Sequence, residues 1–338
     1  MRWFLRISVM ATLAFGPALA WADEAVFADG RLWTVHGGEV VSLAEGEAQA
    51  RREYLGAPVI SLCRQDGHPV ALALASDSPD ALRIHKRDAD GWTAQATLPE
   101  VGKEEVALLC VGDDIVVVTE KDLITIDDAG VRKVALQAKF SGGRHTFLGT
   151  ADDIYVGYDM GEWGGGLQAI RRSDGQVRKI EKNKSGDLCD GPLNGECDPV
   201  NAIAIVPWKP QCVAVAVGLS HLNSSHGRIV TVCGEVIDSH YARQFGERYA
   251  NRALPEDEAY STIPFYGLIA GDDSLLALGM DGLYRISSDG KATILPIPEF
   301  PLIDGMRVSF NIPGVVLIGG TRNRDDVYFA TDIVMVPR

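Results

Sequence analysis

Residues 105–137 read "EVALLCVGDDIVVVTEKDLITIDDAGVRKVALQ", and residues 267–298 read "GLIAGDDSLLALGMDGLYRISSDGKATILPIP". Both parse as strand, Gly-Asp turn, strand, short turn, strand, a turn containing Asp and Gly, and strand, with Val, Ile and Leu runs closed by turn residues. The same unit fits residues 25–55, "AVFADGRLWTVHGGEVVSLAEGEAQARREYL", where Gly46 takes the third turn. Gly91, Gly130, Gly175, Gly234 and Gly290 take that turn in later copies, a period of about 40–60 residues. With 36 glycines and almost no helical periodicity, the chain reads as repeated small sheets.

A single four-stranded sheet cannot bury both of its faces, so units of this period stack face to face around an axis. The sequence therefore predicts one all-β domain, a β-propeller over residues 23–338. Seven four-stranded blades are expected near 25–55, 57–98, 104–137, 144–182, 200–240, 264–296 and 304–338, with six or eight as the neighbouring alternatives. The last unit, "MRVSFNIPGVVLIGGTRNRDDVYFATDIVMVPR", reads as three strands, so the N-terminal "DEAVF" is expected to complete it and close the ring. Across the whole mature chain the repeat pattern resembles exported bacterial β-propeller proteins. That resemblance implies architecture alone. The Gly-His and Trp-Asp pair of WD40 repeats is absent, and "RDADGWT" at 87–93 echoes the sialidase Asp-box only superficially. No tryptophan repeat of the quinoprotein dehydrogenase kind is present. Propellers carry enzymes and scaffolds alike, so the fold assigns no function.

The first residues, "MRWFLRISVMATLAFGPALAWA", place Arg2 and Arg6 ahead of an apolar run that ends in Ala20-Trp21-Ala22. This is the pattern of a secretory signal peptide over residues 1–22, cleaved before Asp23. Its apolar run, about 15 residues, falls short of the roughly 20 that span a bilayer. A periplasmic or secreted product is expected, with no membrane insertion. Six cysteines fit an oxidising compartment. The expected disulfides are Cys63–Cys110 from equivalent blade positions, Cys189–Cys197 around a short polar segment, and Cys212–Cys233 from hairpin symmetry. The formal charge is −14, or about −16 once the two leader arginines are gone. So acidic a surface repels phosphate backbones and anionic lipid heads, which argues against nucleic acid as a partner.

In blades with strands a to d counted from the axis, the b–c turn and the link to the next blade share one end of the propeller. Residues 157–167, "GYDMGEWGGGL", hold the b–c turn of blade four, and "KNKSGDLCDGPLNGECDPVN" links it to blade five. "GLSHLNSSHG" is the b–c turn of blade five, and the segment from Ser239 to Ser261 leads to blade six. Loops of this length clustered on one rim cost conformational entropy, and function is the usual reason for them. The binding candidates on that rim are Asp159, Glu162, Trp163, Asp198, His221, His226, Tyr241 and Arg243. Trp163 reads equally as a lid over its own blade or as an exposed stacking platform. Tyr241, Phe245 and Tyr249 recur every four residues and predict a short helix over 240–254, in which Arg243 either packs or meets an anion.

No reaction motif survives inspection. There is no Gly-x-Ser-x-Gly elbow, and the triple glycine leads into a strand rather than a phosphate-cradling helix. His221 and His226 lack the spacing of a metal motif, so no metal and no cofactor are expected. Two functions remain in view. The first is a monomeric binding or scaffold propeller, not an enzyme, that docks a protein or peptide. The alternative is a propeller hydrolase, lactonase or lyase with a metal or an acid/base pair near the axis.

Overall fold

The computed structural model describes residues 25–76, 78–99, 101, 107–183, 190–221, 224–244, 262–298, 306–324, 327–330 and 334–338. Seven antiparallel four-stranded sheets follow one another along the chain, forming a seven-bladed β-propeller. Blade one is β1–β4 (Val26–Ala28, Arg31–His36, Glu39–Ala44, Arg51–Glu53) and blade two β5–β8 (Val59–Gln65, His68–Ala75, Ser78–Asp88, Gly91–Leu98). Blade three is β9–β12 (Ala107–Val111, Asp114–Val118, Asp122–Asp127, Gly130–Ala135) and blade four β13–β16 (Arg144–Gly149, Asp153–Asp159, Gly165–Arg171, Val177–Ile180). Blade five is β17–β20 (Val200–Val206, Lys209–His221, Ser224–Cys233, Val236–Tyr241) and blade six β21–β24 (Phe265–Ala270, Leu275–Gly279, Gly282–Ile286, Ala292–Leu295). Blade seven is β25–β28 (Met306–Ser309, Val315–Arg324, Val327–Ala330, Val334–Pro337).

Position within a blade explains the sequence of each strand. Second strands are covered on both faces by neighbouring blades, so β10 and β22 read as unbroken apolar runs and are buried almost throughout. Outer strands face solvent, and β12 is exposed along nearly its whole length. The glycines at the third turn, Gly46, Gly91, Gly130, Gly175, Gly234 and Gly290, all have φ between +62° and +127°. A side chain would be strained there, which is why the repeat carries glycine.

Six apolar clusters fill the successive interfaces from blades one and two round to blades six and seven. Trp33, fully buried in the first of them, donates from Nε1 to Ala28 O at 2.9 Å. Trp92, from the stretch with the superficial Asp-box echo, meets Trp33 edge-on at 5.9 Å and donates to Glu53 at 2.6 Å.

Ring closure departs from expectation. β1 pairs with β2 inside blade one, Val26 opposite Trp33, and does not complete the last blade. The reason is local: Asp29 and Gly30 both sit at positive φ, +52° and +68°, a two-residue hairpin turn that sends the chain straight back. In blade seven the fourth strand comes from the C-terminal segment, since β26 pairs with β25 and β28 along its first part and with β27 along its last.

Cys63–Cys110 joins the innermost strands of blades two and three, with Cα atoms 5.6 Å apart. Cys212–Cys233 crosses the central hairpin of blade five, Cα to Cα 4.5 Å. Cys197 is also disulfide-bonded, and Cys189 lies outside the described residues, as do residues 1–22, where a signal peptide is expected. No helix among the described residues is long and apolar enough to cross a membrane.

Candidate functional site

The alternating run of the strands puts the b–c turns and interblade links at one end, opposite both described disulfides. At that end, β14 and β15 are joined through a single 3₁₀ turn, Gly161–Trp163. Asp159 holds the turn from inside: its Oδ1 accepts the Gly161 N–H at 2.7 Å, while Met160 N–H donates to Gly164 O at 3.0 Å. The three glycines fit a close backbone approach. A Cβ on Gly164 would lie 2.6 Å from Glu196 O, and one on Gly165 would lie 2.4 Å from Pro199 Cα. Gly164 also has φ +110°. The turn therefore lies flat on the link between blades four and five.

That link is itself anchored. Asp198 is 1% exposed and accepts from Asn194 N at 2.6 Å and from Arg228 Nη2 at 2.5 Å. Arg228 also donates to Pro192 O and Gly191 O, at 2.8 and 3.1 Å, which ties blade five to the link at three points. His226 Nε2 lies 3.0 Å from Cys197 O. A carbonyl can only accept, so Nε2 carries the proton. Asp198 and His226 are thus part of the brace.

Above this base Trp163 is 79% exposed, with Glu162 exposed next to it in the chain and Glu196 exposed on the link that the turn lies against. His221 closes β18, a strand that the turn packs against. Tyr241 and Arg243 are engaged within the fold. Tyr241 packs on Phe265 and Tyr284, at 6.1 and 5.7 Å between ring centres. Arg243 donates to Asp281 at 2.7 Å and to Tyr284 Oη at 3.0 Å, and Tyr284 donates to Asp281 at 2.6 Å. Burial, followed by the bond to Asp281, drives the Tyr284 hydroxyl well above the usual phenol range. The helix expected over 240–254 is not what its first residues form: Tyr241 ends β20 and Gln244 bridges Thr262. Residues 245–261 lie outside the described residues.

The axis, where the sequence allowed a metal or an acid/base pair but named no residues, has groups of its own. A cavity of 470 Å³ runs between the innermost strands of blades two to seven. Its wall carries Arg144, His145, Asn201, Tyr266 and Arg307 among apolar residues, and no Asp or Glu among the described residues. At its mouth Arg144 Nη2 donates to Asp159 Oδ2 at 2.6 Å and to Asn201 Oδ1 at 3.2 Å. Asn201 spends its own N–H groups on Gly218 O and Phe265 O, at 2.7 and 2.9 Å, linking blades five and six. The Tyr266 hydroxyl is pushed well up, first by burial and then by the Asp159 charge, against the opposing pull of Arg144. Asp159 thus connects the rim to the axis.

No family model matches this chain, and no curated protein matches it. Solved structures do, at low identity. The β-propeller domain of the trilobed protease from Pyrococcus furiosus, described as having an open velcro topology, is 9% identical at a TM-score of 0.50, covering 94% of this chain and 98% of that one. The Pan2 WD40 domain of Neurospora crassa is 10% identical at 0.49, covering 87% of this chain and 84% of that one. The extracellular domain of a one-component system from B. thetaiotaomicron is 14% identical at 0.47, and this chain covers 36% of its length with 88% of its own. The first of these, at a TM-score of 0.50, speaks for the propeller fold alone.

Proposed function

We propose that this protein is an exported, non-catalytic binding propeller that docks a protein or peptide on the rim over blades four and five, with Trp163 as the anchor. The carrying observation is an indole 79% exposed on a turn that its own backbone cannot leave. A rigid aromatic in a polar setting is the residue on which binding energy concentrates. Disulfides fit the oxidising compartment that the leader implies. An acidic rim in a chain of charge −14 suits a neutral or basic partner rather than an anionic one. The alternative, a hydrolase, lactonase or lyase working near the axis, has Asp159 as its nearest described carboxylate, and that group is already paired with Arg144.

The test is paired capture from the exported fraction of the native cells, with wild-type protein and Trp163→Ala side by side. Losing such an anchor costs about 2 kcal/mol or more, roughly thirtyfold in affinity. A partner held by the wild type and lost from the variant, at unchanged melting temperature, supports the reading. Equal capture by both proteins, or a large fall in melting temperature, removes it.

A further inference from the structure

The axial cavity has donors that the fold leaves unused. Tyr266 is only 8% exposed, yet its hydroxyl makes no hydrogen bond to the described residues and is not sealed in protein. A largely buried hydroxyl left without an acceptor is unfavourable, so a donor of this kind suits a ligand oxygen. Arg144 has the same surplus. Its Nη2 serves Asp159 and Asn201, while Nη1 and Nε have no acceptor among the described residues, and the side chain is 44% exposed. Asn201, fixed by two backbone carbonyls, keeps the guanidinium plane from turning away.

We propose that the cavity binds a small monocarboxylate with an apolar body, its carboxylate held by Arg144 and Tyr266 and its body lying among Leu109, Phe147, Leu268 and Val308. A guanidinium edge and a phenol on one cavity wall supply the two kinds of donor that suit the two carboxylate oxygens. At 470 Å³ the space falls in the range of about 300–1,000 Å³ typical of small-molecule sites. A dianion such as phosphate suits it less, since Asp159 already offsets Arg144 and apolar side chains form a large part of the wall. The site does not rest on the rim reading, and either can fail alone.

Calorimetric titration of the purified protein with sodium hexanoate and sodium phenylacetate tests this, with hexanamide, phenylacetamide and inorganic phosphate as comparison probes. Saturable binding of at least one carboxylate is expected, with the amides and phosphate about tenfold weaker or worse. Tyr266→Phe, which keeps the packing, should weaken carboxylate binding about tenfold, and Arg144→Gln should abolish it. Should Arg144→Gln fail to fold, Tyr266→Phe decides alone. The absence of saturable carboxylate binding overturns the proposal. So does an amide that binds as tightly as its acid, or binding that survives Tyr266→Phe undiminished.

Discussion

Gly165 and Trp163 stand two positions apart and should respond to alanine in opposite ways. A methyl on Gly165 would meet Pro199 Cα at 2.4 Å, backbone against backbone, so Gly165→Ala should cost about 1–3 kcal/mol as overpacking. Trp163→Ala removes a side chain that covers little, so it should stay within about 0.5 kcal/mol. Urea midpoints of the two variants measure both, and an equal fall would mean that the indole belongs to the core. The glycine run made a close approach legible in the sequence, but its partner, Pro199, comes from the following link and left no local mark. Tyr266 was harder still. In "FYGLIA" it passes for one more apolar letter, and a register shift between Phe265 and Gly267 re-aims it, so simple alternation could not place its hydroxyl.

Among the elements, the link after blade four depends on one charge pair. With Arg228 replaced by Met, Asp198 stays buried without its cation, and the expected loss is roughly 3–5 kcal/mol. Adding Asp198→Asn should restore part of it, because an amide oxygen can still accept from Asn194 N. Chemical denaturation of the single and double variants reads this out, and no recovery would mean that the charge is not the cause. Blade one supplies a pH signature. Glu47 accepts from Arg31 at 2.7 Å and from Arg51 at 2.6 Å, and its carboxyl is lowered from 4.5 to about 2, chiefly by the Arg31 bond. A depressed folded value means that this stabilisation is present above pH 4.5 and is lost as pH falls towards 2. Glu47→Gln should flatten the pH dependence of the denaturation midpoint within that window and leave its slope above pH 5.5 unchanged. The 240–254 stretch misled at this same scale. Its four-residue aromatic spacing is real, but Tyr241 is taken by pairing opposite Ile229, and sheet hydrogen bonds outweigh a local pattern that few residues support.

For the whole molecule, the repeat was readable because six of the seven blades carry a glycine at the third turn, whereas the mode of closure hung on the Asp29-Gly30 turn. Its consequence is an uneven ring. Six interfaces each carry an apolar cluster, and none of these clusters joins blade seven to blade one among the described residues. There, Asn311 Nδ2 donates to Ala25 O. A strand exchanged between first and last blades would have bound this seam with a hydrogen-bonded ladder, and β1 instead stays within its own sheet. Opening free energy follows local burial, so the seam should be the least protected part of the ring. Amide hydrogen exchange is therefore expected to be fastest among strands at β1 and β25, and slowest at β10, β18 and β22. Reducing the disulfides should lower protection around Cys63 and Cys110, where the bond spans two blades, without changing the rank of the seam. If β1 and β25 instead exchange as slowly as β18, the ring opens elsewhere, and packing at this junction must be as strong as at the other six.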